Sequence, residues 1–332
     1  MTAIEAKNIS KTFKIVKREP GFAGALKAFW KREHVDVEAA KNISLNIQEG
    51  ELVGFVGPNG AGKTTTLKMI SGLLYPTGGL VTTLGFSPQK REHAFLRAIT
   101  LVMGNRSQLW WEIPVEESLK LNKEIYELSD DFYSNSLTEL VDLLEIKDIL
   151  QTPVKKLSLG QRMKAELCAA LLHRPKLLLL DEPTLGLDIL MQKKVRKFLA
   201  EYNKKSKATI LLTSHNMDDV LELCERILII DRGSLIYDGS LKDVIAKYAP
   251  TKRIRVDFAQ TMVSELAQEW KLRSVNGDHL AFEANVLRKE IPSFTAQLLN
   301  AAGSKIPDVA DLTIEETPIE EIIGKIFEGK GS

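Results

Sequence analysis

The chain has 332 residues, room for about two domains, and 45 basic against 44 acidic side chains leave a formal net charge of +1. That balance excludes a chain steered as a whole toward nucleic acid or an anionic surface. No run approaches the roughly 18 apolar residues of a membrane span, and neither a signal-peptide core nor a disulfide or metal spacing is present.

The two cysteines, Cys168 and Cys224, sit inside apolar helical patterns and read as buried thiols, so a cytosolic location is expected. Residues 3–9 read as a strand that runs out in Lys11-Thr12-Phe13, and the next strand is expected only at 43–47. Residues 14–39 between them form a basic insert. Within it Phe22, Leu26, Phe29 and Trp30 fall at helical spacing beside Lys14, Lys17, Arg18, Lys27, Lys31 and Arg32. Such a segment can lie on an anionic bilayer or a partner, or fold its apolar face back onto its own domain.

The apolar run Leu52-Val53-Gly54-Phe55-Val56 then leads into Gly57-Pro58-Asn59-Gly60-Ala61-Gly62-Lys63-Thr64-Thr65 and a helical pattern over 66–70. Strand, glycine loop and helix in this order match G-x-x-x-x-G-K-[ST] at every fixed position. Glycines let backbone N–H groups approach an anion, and the helix that follows turns its positive end toward it. Lys63 supplies a mobile charge for β- and γ-phosphates, and the Thr64 hydroxyl can complete the shell of a Mg²⁺ ion. The stretch implies binding of a nucleoside triphosphate.

Tyr75-Pro76-Thr77-Gly78-Gly79 marks a turn before a short strand over 80–84, and residues 88 to about 156 read as mostly helical. From 176 the texture becomes α/β, with strands at 177–180, 209–213 and 227–230 and helices at 189–203 and 217–225. Continuous apolar strands alternating with helices argue a parallel sheet covered on both faces. Pro250 closes this unit. Residues 251–332 begin again with strand 253–258, helix 261–269, strands 271–275 and 279–283, helix 285–300, strand 312–314 and helix 318–327. That alternation suggests a small α+β domain.

Leu177-Leu178-Leu179-Leu180-Asp181-Glu182-Pro183 places two carboxylates at the C-terminal end of a buried strand, where α/β sheets bind ligands. Asp181 there can hold Mg²⁺ through water, and Glu182 can orient or deprotonate an attacking water. Just upstream, Leu157-Ser158-Leu159-Gly160-Gln161 opens an amphipathic helix with Ser158 as a good N-cap, which offers free N–H groups to an anion.

The phosphate loop, LSLGQ, LLLLDEP, Gly186-Leu187-Asp188 and Thr213-Ser214-His215 follow in this order. Together they resemble the ATP-binding subunit of ABC transporters over residues 1 to about 248. The long insert, Gln108-Leu109-Trp110-Trp111 and the C-terminal extension resemble in particular the ATPase subunits of multi-protein bacterial exporters. The resemblance implies a P-loop NTPase core of α/β class with an antiparallel β subdomain over 1–248, an inserted helical subdomain at about 88–158, and a C-terminal α+β domain at 249–332.

It further implies that two copies pair head to tail and sandwich two ATP molecules. Gly57 to Thr65, Asp181, Glu182 and His215 of one subunit would meet Leu157, Ser158, Leu159, Gly160 and Gln161 of the other. His215 would hold the γ-phosphate and the attacking water, Asp188 would sit at the dimer seam, and Mg²⁺ would bind at Thr64 and Asp181. Phe13 stands where the family stacks an aromatic on adenine, although a strand-end phenylalanine can equally be core.

Permease subunits are the implied partners, with no role for nucleic acid, and the location is the inner face of the membrane. Trp110 and Trp111 read either as a permease socket or as core of the helical subdomain. Two positions depart from the family pattern. Leu159 replaces the usual glycine, so its side chain must turn away from the nucleotide. The glutamine that links Mg²⁺ to the permease falls in register on Asn105, with Gln108 as the runner-up. An ATPase of DNA repair fits less well, because the gap from Lys63 to Leu157 lacks sustained heptads. A translation factor fits less well because the chain has one phosphate loop.

Overall fold

The computed structural model describes residues 1–16, 34–103, 107–214, 216–275 and 279–328. The chain divides into two compact units, Met1–Ser240 and Leu241–Ser332. The division falls before the expected 248 because helix Leu241–Tyr248 packs with the second unit, on the helix Ile319–Glu328.

Two sheets build the first unit. Strands β1 (Thr2–Val16), β2 (His34–Gln48) and β4 (Gly78–Thr83) form an antiparallel sheet in the order β2-β1-β4. Ile4, Ala6, Ile43, Leu45 and Ile47 are buried, as period-2 alternation requires of a sheet packed on one face. The hairpin is longer than expected, since Lys14 pairs with Asp36 and Ile15 with Val35. Both ends of the anticipated insert are therefore strand. The helical reading of Phe22, Leu26, Phe29 and Trp30 lies outside the described residues.

The second sheet carries β3 (Leu52–Val56), β5 (Ile99–Met103), β6 (Leu177–Asp181), β7 (Thr209–Thr213), β8 (Arg226–Asp231) and β9 (Ser234–Ser240). Its order is β5-β6-β7-β3-β8-β9, parallel as far as β8 and antiparallel at β9. Leu177 to Leu180, Ile210 to Leu212 and Ile227 to Ile230 are fully buried, which explains their unbroken apolar runs.

Strand β5 interrupts the stretch from 88 to about 156 that reads as mostly helical. Five aliphatic and β-branched residues are too short for a buried helix and pair instead with Leu177 to Asp181. Only α2 (His93–Ala98) precedes it, after α1 (Lys63–Ile70). Beyond it lie α3 (Val115–Ile125), α4 (Asp130–Leu144) and α5 (Leu159–Leu171). Helices α6 (Ile189–Ser206) and α7 (Met217–Leu223) complete the unit.

The second unit starts with α8, the Leu241–Tyr248 helix, and continues as β10 (Thr251–Phe258), α9 (Ser264–Glu269), β11 (Arg273–Ser274) and β12 (Ala281–Leu287). Then come α10 (Ile291–Ala301), β13 (Val309–Glu315) and α11 (Ile319–Glu328). Its sheet order β11-β12-β10-β13, antiparallel throughout, is the split βαβ arrangement of ferredoxin-like folds. Ile254, Val256, Phe258, Phe282, Ala284 and Val286 form its core with Leu298 of α10. The helix expected from 285 begins only at Ile291, because residues 281–287 alternate buried and open as a strand does.

Candidate active site

The phosphate loop leaves β3 and returns into α1 at very close quarters. A Cβ at Gly57 would lie 2.3 Å from the Ile230 carbonyl oxygen, and one at Gly62, where φ is +107°, would lie 2.3 Å from that of Ala39. The loop is also tied from outside. The Gly233 N–H donates to the Ala61 carbonyl at 2.9 Å, and the Lys41 N–H donates to the Gly233 carbonyl at 2.7 Å. Strand β2 and the β8–β9 turn thus hold it.

Lys63 is buried, and its ammonium donates to the Gly57 and Pro58 carbonyls at 2.6 and 3.1 Å. Burial pulls its pKa below the ordinary lysine value, while the charges of Glu182 and Asp181 oppose that shift. The cation is therefore held inside the loop, with both carboxylates near enough to be felt.

Sheet register explains why Asp181 meets the loop. Asp181 ends β6 directly opposite Thr213 of β7, and Thr213 is opposite Phe55 of β3. The Thr64 hydroxyl donates to Asp181 Oδ2 at 2.7 Å, and the Thr213 hydroxyl donates to Oδ1 at 2.6 Å. A paired hydroxyl and carboxylate suits Mg²⁺, which takes one or two protein oxygens and fills its shell with phosphate and water. Thr213 received no role from sequence. The register supplies it.

Glu182 turns the chain out of β6 with φ +57°, a left-handed conformation that is uncommon outside glycine. Its N–H donates to the Thr213 carbonyl at 3.1 Å. The kink places it on the wall of a cavity of about 240 Å³ with Thr184, Gly186, Gln192, Ser214 and Asn216. Asp219, fully buried, braces both sides of that cavity. It accepts from the Thr184 and Ser214 hydroxyls and pairs with Arg196 Nη1 at 2.8 Å. Nothing in the sequence marked Asp219, since a buried acid and its partner arginine 23 positions apart show no pattern.

The LSLGQ stretch caps α5. Ser158 Oγ accepts the Gln161 N–H at 3.2 Å and Gln161 Oε1 accepts the Ser158 N–H at 3.0 Å, a capping box that leaves the serine proton to donate outward. Leu159 leans on the turn at Gly186. Its Cδ2 lies 2.9 Å from where a Cβ of Gly186 would be, and Gly186 has φ +74°. Met191 lies in the same way 3.2 Å from a Cβ at Gly160, and Asp188 caps α6 by accepting the Met191 N–H at 2.9 Å. Leu159, Gly160, Gly186, Asp188 and Met191 thus form one patch.

Phe13 on β1, opposite Val37, keeps 37% of its surface exposed, with the Lys11 ammonium 5.4 Å from its ring centroid. The Gln108 side-chain N–H donates to the Leu101 carbonyl at 3.2 Å on edge strand β5, rather than to Thr64 or Asp181. Asn105 and His215 lie outside the described residues. Trp110 and Trp111 are 62% and 50% exposed, which argues against the core alternative for both.

Comparison with known proteins supplies an independent measure. The family described as ABC transporter matches residues 40–185. An uncharacterized ABC transporter ATP-binding protein of Bacillus subtilis, YcbN, is 34% identical over 303 residues, 88% of this chain and 93% of that one. The ABC transporter ATP-binding protein NatA of the same organism is 35% identical over 208 residues, 63% of this chain and 84% of that one. Among solved structures, an ATP-binding subunit of an ABC transporter has TM-score 0.61 and 26% identity, covering 74% of this chain and 93% of that one. A dimeric ATP-binding cassette with ADP and Pi bound, at TM-score 0.59 and 24% identity, shares the fold over 72% of this chain and 98% of its own.

Proposed function

The chain belongs to the family of ABC transporter ATP-binding proteins, as an ATPase subunit, and we propose that it works in a head-to-tail pair closed on two ATP molecules beside an export permease. In this reading the backbone of residues 57–65 and the Lys63 ammonium hold the phosphates, and Phe13 stacks on adenine. Thr64 and Asp181 hold Mg²⁺, which when bound neutralises charge on the β- and γ-phosphate oxygens. Glu182 orients the attacking water and takes its proton, with His215 beside the γ-phosphate. Ser158 and Gly160 of the partner subunit close the site, and Asp188 lies at the seam. Asn105 remains our choice for the metal-side amide, supported by the engagement of Gln108 at Leu101.

One observation carries the pairing. Around the capped start of α5, Leu159, Leu185, Ile189 and Leu190 expose 46%, 56%, 71% and 75% of their surface. Large apolar side chains gathered in the open beside a functional loop favour a protein interface. A separate cleft of about 340 Å³, lined by Leu73, Leu96, Ile125 and Tyr126 together with Arg91 and Arg97, suits an amphipathic element of the permease. No described helix is long and apolar enough to cross a membrane, so membrane attachment on the inner face is assigned to that partner. Export as the direction rests on the resemblance to exporter subunits.

Sedimentation of Glu182→Gln tests the pairing, since a chain that binds but barely hydrolyses ATP should accumulate in the closed state. It should shift from monomer to dimer with ATP and Mg²⁺ and stay monomeric with ADP. Ile189→Asp should abolish the shift. A protein that stays monomeric at saturating ATP contradicts the reading.

A further inference from the structure

Glu166 lies midway along α5, on no surface of the ATP site, and is 4% exposed between Met163, Leu167 and Ala170 of its own helix. A buried carboxylate is unfavourable unless it is hydrogen-bonded, and removing it leaves its donors without an acceptor. What it bonds is therefore informative. The Ser107 hydroxyl donates to Oε1 and the Gln108 N–H donates to Oε2 at 2.8 Å. Ser107 Oγ in turn accepts the Leu109 N–H at 3.1 Å. One turn earlier on the same face, the Arg162 guanidinium lies 5.4 Å from the Trp111 ring centroid.

Helix α5 thus grips residues 107–111 at two points, while the Trp110 N–H donates to Ser118 Oγ of α3 at 3.1 Å. The gripped segment exposes both tryptophan rings, so an apolar partner of the unit can press on it. The other end of α5 is the Ser158 cap. A helix of three and a half turns transmits a push along its axis with little loss.

We propose that Glu166 is a positioning residue: it locks residues 107–109 to α5, so that movement of the 107–111 segment, pressed at its exposed tryptophans, re-aims Ser158 and Gly160. The proposal rests on the shared-site reading above, in which those two residues serve the partner's ATP.

The test uses the full chain and three variants. Glu166→Met fills the same volume without acceptors, Glu166→Gln keeps one acceptor for the Gln108 N–H and a donor for Ser107 Oγ, and Ser107→Ala removes one donor at an exposed position. Glu166→Met should still unfold in one cooperative transition, and the kcat of its folded fraction for ATP should fall about tenfold with KM little changed, as misplacement of a closing group predicts. Amide exchange at Gln108 should accelerate in the same variant. Glu166→Gln should restore both, and Ser107→Ala should lower kcat by about threefold.

Wild-type kcat in Glu166→Met overturns the proposal. So does a loss of kcat that tracks lost folding and is absent in Ser107→Ala. A wild-type chain that neither dimerises nor hydrolyses ATP overturns the shared-site reading, and the proposal falls with it.

Discussion

Burial shifts the pKa of His173, just beyond α5, within the range that ordinary buffers reach. Its Nε2 donates to the Ile99 carbonyl at 3.3 Å, its Nδ1 has no partner among the described residues, and its ring stacks on Tyr126 at 3.8 Å. Burial pushes its pKa down to about 4, so the folded protein keeps it neutral where an unfolded chain protonates near 6.5. Stability from this group is complete above pH 6.5 and is lost as pH falls from there through about 4, on the order of 3 kcal/mol in all. Denaturation series from pH 7 to 4 should show that slope, and His173→Phe, which keeps the stack, should flatten it. Equal slopes for the two proteins would remove His173 from the account. At the same scale, Glu182→Gln should lower kcat by roughly 10²–10⁴ and spare ATP binding, whereas Lys63→Ala should lose binding itself. Lys63, Thr64, Asp181 and Glu182 were legible in sequence because phosphate chemistry demands fixed residue types at fixed spacing. Thr213, Asp219 and Glu166 were not, because each acts through a partner that only sheet register or helix packing brings near.

Among the elements, the phosphate loop, β6 and β7 follow from their apolar runs, and β5 does not. Ile99 to Met103 sits between helical patterns, and what makes it a strand is the open edge of β6, a partner that lies 78 positions downstream at Leu177. The same placement makes the 107–111 segment a surface feature. Trp111 is half exposed and rests on Arg162, so Trp111→Ala should change unfolding free energy by no more than about 1 kcal/mol. Its binding to membranes of the source cell should weaken by about 2 kcal/mol, the usual loss of an interface anchor. A lower melting point with unchanged membrane binding would return Trp111 to a packing role. The turn at 183–188 shows a third pattern: Gly186 is demanded by its φ of +74° and also by the Leu159 methyl that occupies the space above it.

For the whole molecule, length suggested two units, and the second was legible only as α+β, with the end of β12 read as the start of a helix. The ferredoxin-like order of that unit emerged from pairing alone. The first unit places Lys63, Asp181 and Glu182 together, and it places Leu159 and Gly160 in a patch with Met191 that meets the Glu182 cavity at Gly186. The core of the account is the proposal that Ser158 and Gly160 complete the ATP site of a second copy, so that each site depends on two copies. Mixing Lys63→Ala subunits with Ser158→Arg subunits tests it most directly. Each variant alone lacks one half of every shared site, whereas the heterodimer joins an intact Lys63 from one parent to an intact Ser158 from the other. The account predicts ATP hydrolysis in the mixture that neither parent shows alone. A verified heterodimer that hydrolyses ATP no faster than its parents would contradict it.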